Sequence, residues 1–99
     1  MAGSQAVSPA TTLTLSPNVT LQALGEAEGG VLLRLDSGEL YTVNDTTLAF
    51  LRELDGNRAV ADVAGRLATI FDVEEATLTA DLIDISSDLL AESLVVVAA

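Results

Sequence analysis

Residues 33–44 read LRLDSGELYTVN, and the run divides near its middle. On one side lies VLLRLD (31–36), with Val31, Leu33 and Leu35 at alternate positions. On the other lies ELYTV (39–43), with Tyr41 and Val43 on one face and Leu40 on the opposite one. A period of two marks a strand, because successive side chains point to opposite faces. Asp36-Ser37-Gly38 joins the two runs, and its glycine can take the positive φ that a tight hairpin loop needs. The stretch therefore reads as a β-hairpin with Ser37 as a polar residue of its turn.

Upstream, VTLQALG (19–25) alternates Val19, Leu21 and Ala23 with Thr20, Gln22 and Leu24. That is a further strand, and EAEGG (26–30) is the turn behind it. Three strands thus open the fold, ELYTV being the third. Residues 1–17 are small and polar and close on Ser16-Pro17. They are expected to form a flexible tail, with TLTLSP (12–17) as a candidate extended stretch. Downstream, Asn44 and Asp45 are both good helix caps, and Leu48, Leu51 and Leu54 follow at helical spacing. DGN (55–57) ends that helix. A second is expected from Val60 to Phe71, with Val60, Val63, Ala64, Leu67 and Ile70 on one stripe. Asp72, with Glu75 three residues on, is expected to cap a third helix running from Glu74 to Glu92. Its stripe is Leu78, Leu82, Ile85 and Leu89. LVVV (94–97) is a short extended end. Strands followed by helices predict an α+β domain over 18–99, winged-helix-like, with a three-stranded antiparallel sheet ahead of three helices.

Composition narrows the function. The 99 residues carry 15 acidic groups against 4 basic ones, a net charge of −11. All four basic residues are arginine. Such a field repels nucleic acid and anionic membrane surfaces and favours a basic partner. There is no Cys, His or Lys, so thiolate chemistry, Ser-His-Asp arrangements, ordinary zinc sites and Schiff bases are excluded. No motif calls for a metal or cofactor, and an enzyme is not expected. The first residues lack a basic and an apolar signal-peptide region, and no apolar run reaches membrane length. A cytoplasmic protein is expected.

Three features could carry function. The first is Ser37. Acyl and peptidyl carrier proteins are small and acidic, and their modified serine follows an Asp. That serine starts a helix, however, whereas Gly38 and strands flank Ser37, so the turn is favoured. The second is the 39–43 strand. An edge strand offers unpaired N–H and C=O groups to an added peptide strand, unless 12–16 or 94–97 covers it. It could instead pair with a second copy in a structural dimer. The third is an acidic stripe on the third helix, Asp81, Asp84, Asp88 and Glu92, beside its apolar stripe. It is either a groove wall for basic side chains or a solvated face.

Residues 31–96, about two-thirds of the chain, resemble the PqqD-like proteins, also called RiPP recognition elements. The likeness rests on the hairpin GVLLRLDSGELYTVN, on the close of the first helix at Leu54-Asp55-Gly56, on RAVADVAGRLATIFDV and on ADLIDISSDLLAESLV. Three positions depart from the family pattern. Ala59 stands where Thr often caps the second helix, a loss of about 0.5–2 kcal/mol unless Asn57 substitutes. Ser93 replaces a common Gly, and Ser86 a usual Leu.

The resemblance implies binding of the leader segment of a ribosomally synthesised precursor peptide. The leader would add to the third strand beside the third helix, and the domain would present it to a separate maturation enzyme. Carried onto this sequence, the leader-binding residues would be Leu40, Tyr41, Thr42 and Val43 with Asp81, Leu82, Asp84, Ile85 and Asp88. The leader would carry basic residues. The SGELY hairpin is similar to the stand-alone proteins of lasso peptide pathways, which work with a leader peptidase. The quinone-cofactor chaperones, partnered by a radical SAM enzyme, fit nearly as well.

Overall fold

The computed structural model describes residues 7–98. Its elements are β1 (Leu13–Leu15), β2 (Val19–Ala23), β3 (Gly30–Arg34), β4 (Leu40–Val43), α1 (Asp45–Arg52), α2 (Val60–Phe71), α3 (Glu75–Ala91) and β5 (Val95–Val97). Strands β2, β3 and β4 form one antiparallel sheet in that order, and the three helices follow it. This is the α+β arrangement expected from the sequence.

The hairpin forms as its turn chemistry dictates. Gly38 takes φ 77°, its N–H reaches the Arg34 carbonyl at 2.8 Å, and the Arg34 N–H reaches the Glu39 carbonyl at 2.9 Å. The Ser37 hydroxyl accepts from the Glu39 N–H at 3.3 Å and donates to the Glu39 carboxylate at 3.1 Å. Ser37 is thus engaged within the turn and starts no helix, the first of which opens at Asp45.

Register fixes which face is buried. Leu32 pairs with Leu21 on one side and Tyr41 on the other, and these residues face the helices with Val19 and Val43. Leu32 is fully buried. Leu33, Leu40 and Thr42 lie on the outer face. Gly30 permits close approach: a Cβ there would lie 2.9 Å from a Leu48 methyl and 2.8 Å from the Gln22 carbonyl oxygen, so α1 packs directly on the sheet.

Asn44 caps α1, its side chain accepting from the Thr47 N–H at 2.9 Å. In α2, Val60, Val63, Ala64 and Leu67 are buried as expected, but Ile70 is 67% exposed, a correction to the expected stripe. Ile70 sits on the stripe's margin, and Ala68 takes the buried place beside Leu67. Asp72 is a second correction. It adopts a left-handed conformation (φ 55°) that terminates α2, and the Val73 N–H turns back to the Ala68 carbonyl at 3.0 Å. Asp tolerates this conformation better than most residues. Glu74 therefore occupies the N-cap of α3, without a side-chain cap bond.

The flexible tail expected over 1–17 is corrected for residues 7–17; residues 1–6 lie outside the described residues. Leu13–Leu15 pairs antiparallel with Val95–Val97 as a separate two-stranded sheet, and Leu13 is fully buried. The same segment caps α2. The Val60 N–H donates to the Thr11 carbonyl and the Ala61 N–H to the Pro9 carbonyl, both at 2.9 Å. These carbonyls serve helix donors that Ala59 cannot. Asn57, the one residue that could have substituted, makes no cap bond, and its own N–H donates to the Asp55 carboxylate.

At the other end of α3, the Leu94 N–H bonds to the Leu89 carbonyl and the Ser93 N–H to the Leu90 carbonyl. This is a Schellman closure, with Ser93 in the left-handed position at φ 60°. A glycine avoids the Cβ clash there. Ser93→Gly is expected to raise unfolding free energy by about 1 kcal/mol in urea titration. Ser86 is fully buried, and among the described residues its hydroxyl has no hydrogen-bond partner.

Candidate functional site: a free strand edge beside an apolar groove

β4 has β3 on one side and, among the described residues, no strand on the other. The two segments that could have covered it, β1 and β5, pair with each other instead. The phase of the ladder shows which groups are left over. The Arg34 N–H bonds to the Glu39 carbonyl, so Glu39 is a hydrogen-bonded partner of β3. Antiparallel strands alternate such positions, which makes Tyr41 and Val43 the next ones, opposite Leu32 and Gly30. Leu40 and Thr42 consequently direct their N–H and C=O groups away from the sheet. The Leu40 side chain is also 65% exposed.

Just past the Val43 end of β4, at Asn44, lies a groove of about 410 Å³. Asn44 and Thr46 form one wall, and Leu78, Asp81, Leu82, Asp84 and Ile85 of α3 form the other. Phe71 and Val73, from the junction of α2 and α3, close its end. The floor is apolar and the α3 rim acidic. Of the residues singled out from sequence, the structure brings together Asp81, Leu82, Asp84 and Ile85 in this groove. Leu82 is fully buried and belongs to the core beneath the groove, while Ile85 is half-buried and accessible from it. Leu40, Tyr41, Thr42 and Val43 form the adjoining strand edge. Tyr41 and Val43 turn toward the core, and Leu40 and Thr42 turn outward. Asp88 is exposed one turn further along α3 and does not line the groove.

Phe71, Val73, Asn44, Thr46, Thr77 and Leu78 also line the groove and were not singled out for it. Phe71 carried a signal. It continues the stripe of Val60, Ala64 and Leu67, but as the last helical residue it overhangs the core and stays 36% exposed. An aromatic on the buried stripe at a helix end is a candidate for a groove wall. Val73 depends on the left-handed turn at Asp72, which periodicity does not reveal.

Arg34 ties the hairpin to α3. Its guanidinium donates to the Glu92 carbonyl at the end of α3 and to the Tyr41 hydroxyl at 3.3 Å, and it lies 3.3 Å from the Glu39 carboxylate. It also sits 5.7 Å from the centre of the Tyr41 ring. The hydrogen bond with Tyr41, assisted by the charges of Glu39 and Asp36, raises the guanidinium above its ordinary value. A permanent cation at a helix C-terminus is favourable. The contact links β4 to the far end of α3, and so fixes the two sides of the site against each other. Among the described residues, no group of three or more His, Cys, Asp or Glu could hold a metal ion.

A family model described as coenzyme PQQ synthesis protein D (PqqD) matches residues 29–95. A comparison with curated proteins finds no match. Among solved structures, the chain is similar in fold to the PqqD truncation of Methylobacterium extorquens PqqCD, a functional, stand-alone RiPP recognition element solved by NMR. The two are 23% identical over 92% of this chain and 95% of that one, with a TM-score of 0.79. It is also similar to lasso peptide synthetase B1 complexed with the leader peptide, at 26% identity over 85% of this chain and 96% of that one, with a TM-score of 0.71. The matched residues take in β3, β4 and all three helices, the elements that build the edge and the groove. On that match and that architecture, the chain belongs to the PqqD family.

Proposed function

We propose that this protein binds the leader segment of a ribosomally synthesised precursor peptide and presents it to a separate maturation enzyme. The observation that carries this is the uncovered edge of β4 opening onto an apolar groove against α3. The leader adds as a strand, exchanging main-chain hydrogen bonds with Leu40 and Thr42. Main-chain bonds of this kind give affinity, and pockets for alternate side chains give selection. An apolar leader side chain enters the groove against Leu82 and Ile85. Asp81 and Asp84 on the rim, with Asp88 beyond, attract and register basic leader residues. Tyr41 and Val43 support the edge from beneath.

The chain contributes no catalytic group. In this reading it delivers substrate to a partner, either a leader peptidase of a lasso peptide pathway or a radical SAM enzyme. No helix among the described residues is long and apolar enough to cross a membrane. Support for leader binding also comes from the similarity to a synthetase B1 solved with its leader bound.

Calorimetric titration with the synthetic leader of the precursor encoded beside this chain tests the proposal. Saturable one-to-one binding is expected, and absence of binding contradicts it. Exposed ion pairs contribute about 0.2–1 kcal/mol each, so Asp81→Asn, Asp84→Asn and Asp88→Asn together should weaken binding about tenfold in low salt. The difference should narrow as added salt screens the wild-type attraction.

A further inference from the structure

A second groove, of about 430 Å³, lies on the far side of Phe71. Ala23 at the end of β2, Ala27 of the β2–β3 connection and Leu48, Ala49 and Arg52 of α1 line it, and Phe71 is common to both grooves. The two grooves thus meet at Phe71, the first of them also lined by Asn44 and Thr46 just beyond the Val43 end of β4.

The two grooves differ in one respect: the first is lined by Asp81 and Asp84 and by no base, whereas the second carries a cation, Arg52, beside Asp45 and Glu26. Arg52 is exceptional among the four arginines. Arg58 and Arg66 both pair with Glu53, and Arg34 pairs with Glu39, whereas Arg52 makes no ion pair or side-chain hydrogen bond among the described residues. Asp45, also on this groove, is committed elsewhere, its carboxylate accepting from the Gly29 N–H at 2.7 Å. Glu26 is the remaining acid there, on an exposed turn. An unpaired, exposed cation in a chain of net charge −11 suits an acidic partner group.

We infer that the leader continues beyond β4, crosses Phe71 and occupies this second groove. There it sets an apolar side chain against Leu48, Ala49 and Phe71 and an acidic side chain on Arg52. This rests on the leader-binding proposal and adds to it a second subsite that offers a cation, Arg52. A leader with basic residues at one end of its bound segment and an acid at the other has its direction and register fixed by the pair.

The test is a thermodynamic cycle on the full chain. The probes are the synthetic leader of the precursor encoded beside it, whole and shortened at either end by about six residues, roughly 20 Å of extended chain. Arg52→Glu should weaken the whole leader about tenfold, and Arg52→Gln by less. One shortened peptide should bind more weakly to the wild type and be indifferent to both substitutions. Amide shifts at Ala23, Ala27, Leu48 and Ala49 should appear with the whole leader and vanish with that peptide. If all three peptides bind and Arg52→Glu affects them equally or not at all, the second subsite is wrong and leader binding stands. If none binds the wild type, both fall.

Discussion

A Thr42→Pro variant will fold normally and lose its peptide. The Thr42 N–H points away from β3, so proline removes no bond of the existing ladder, and its ring projects along the free edge. An added strand loses one donor and keeps an unsatisfied carbonyl, at a cost of about 3 kcal/mol or about a hundredfold in Kd. Tyr41→Pro acts the other way. It removes an N–H directed at Leu32 and breaks the hairpin itself, so it should lower Tm. Thr42→Val, which keeps the backbone intact, should bind nearly as well as the wild type. Unchanged affinity in Thr42→Pro would show that the peptide does not pair with β4.

Deleting residues 1–17 will unfold the chain or leave it barely stable. The deletion removes the buried Leu13 and Val7, uncovers Val95, which is fully buried, and takes away the carbonyls of Pro9 and Thr11 that bond to the first turn of α2. Burial of each Leu or Val contributes about 1.5–3 kcal/mol, so the loss is about 5 kcal/mol or more. The total for a domain of this size is about 5–15 kcal/mol. Leu13→Ala alone should cost about 2–5 kcal/mol. Thermal melts followed by circular dichroism measure both. A truncated chain that melts at the wild-type temperature would mean the N-terminal segment contributes nothing.

Local pattern made much of this fold legible. The hairpin carries its own instructions in the alternation of VLLRL and ELYTV and in the glycine at position 38. Asn44 announces α1, and the spacing of Val60, Val63, Ala64 and Leu67 gives α2 its range. What escaped depends on contacts distant in sequence. TLTL at 12–15 reads as a candidate extended stretch, but its partner, Val95–Val97, lies at the other end of the chain, where no local pattern points to it. The missing cap at Ala59 looks like a defect until the Thr11 and Pro9 carbonyls are found there. Asp72 is a plausible cap by type, yet its left-handed backbone ends one helix rather than starting the next.

The site divides in the same way. Helical spacing put Asp81, Leu82, Asp84 and Ile85 on adjoining faces of α3, and all four line the groove. Strand parity alone left open whether Tyr41 faced core or groove. Its pairing with Leu32 and its contact with Arg34 turn it inward. The end of the groove comes from a helix terminus and an inter-helix turn: Phe71 could have been noticed as the last member of the α2 stripe, whereas Val73 depends on the left-handed turn at Asp72, which no local pattern announces.

Strand addition at β4 is tested most directly by residue-resolved amide hydrogen exchange, with and without saturating leader peptide. In the free chain, the Tyr41 and Val43 amides should be protected by β3 and those of Leu40 and Thr42 should exchange fast. With peptide bound, the Leu40 and Thr42 amides should slow by at least about tenfold, as newly hydrogen-bonded groups do. Fast exchange at both amides in a saturated complex would contradict pairing along this edge.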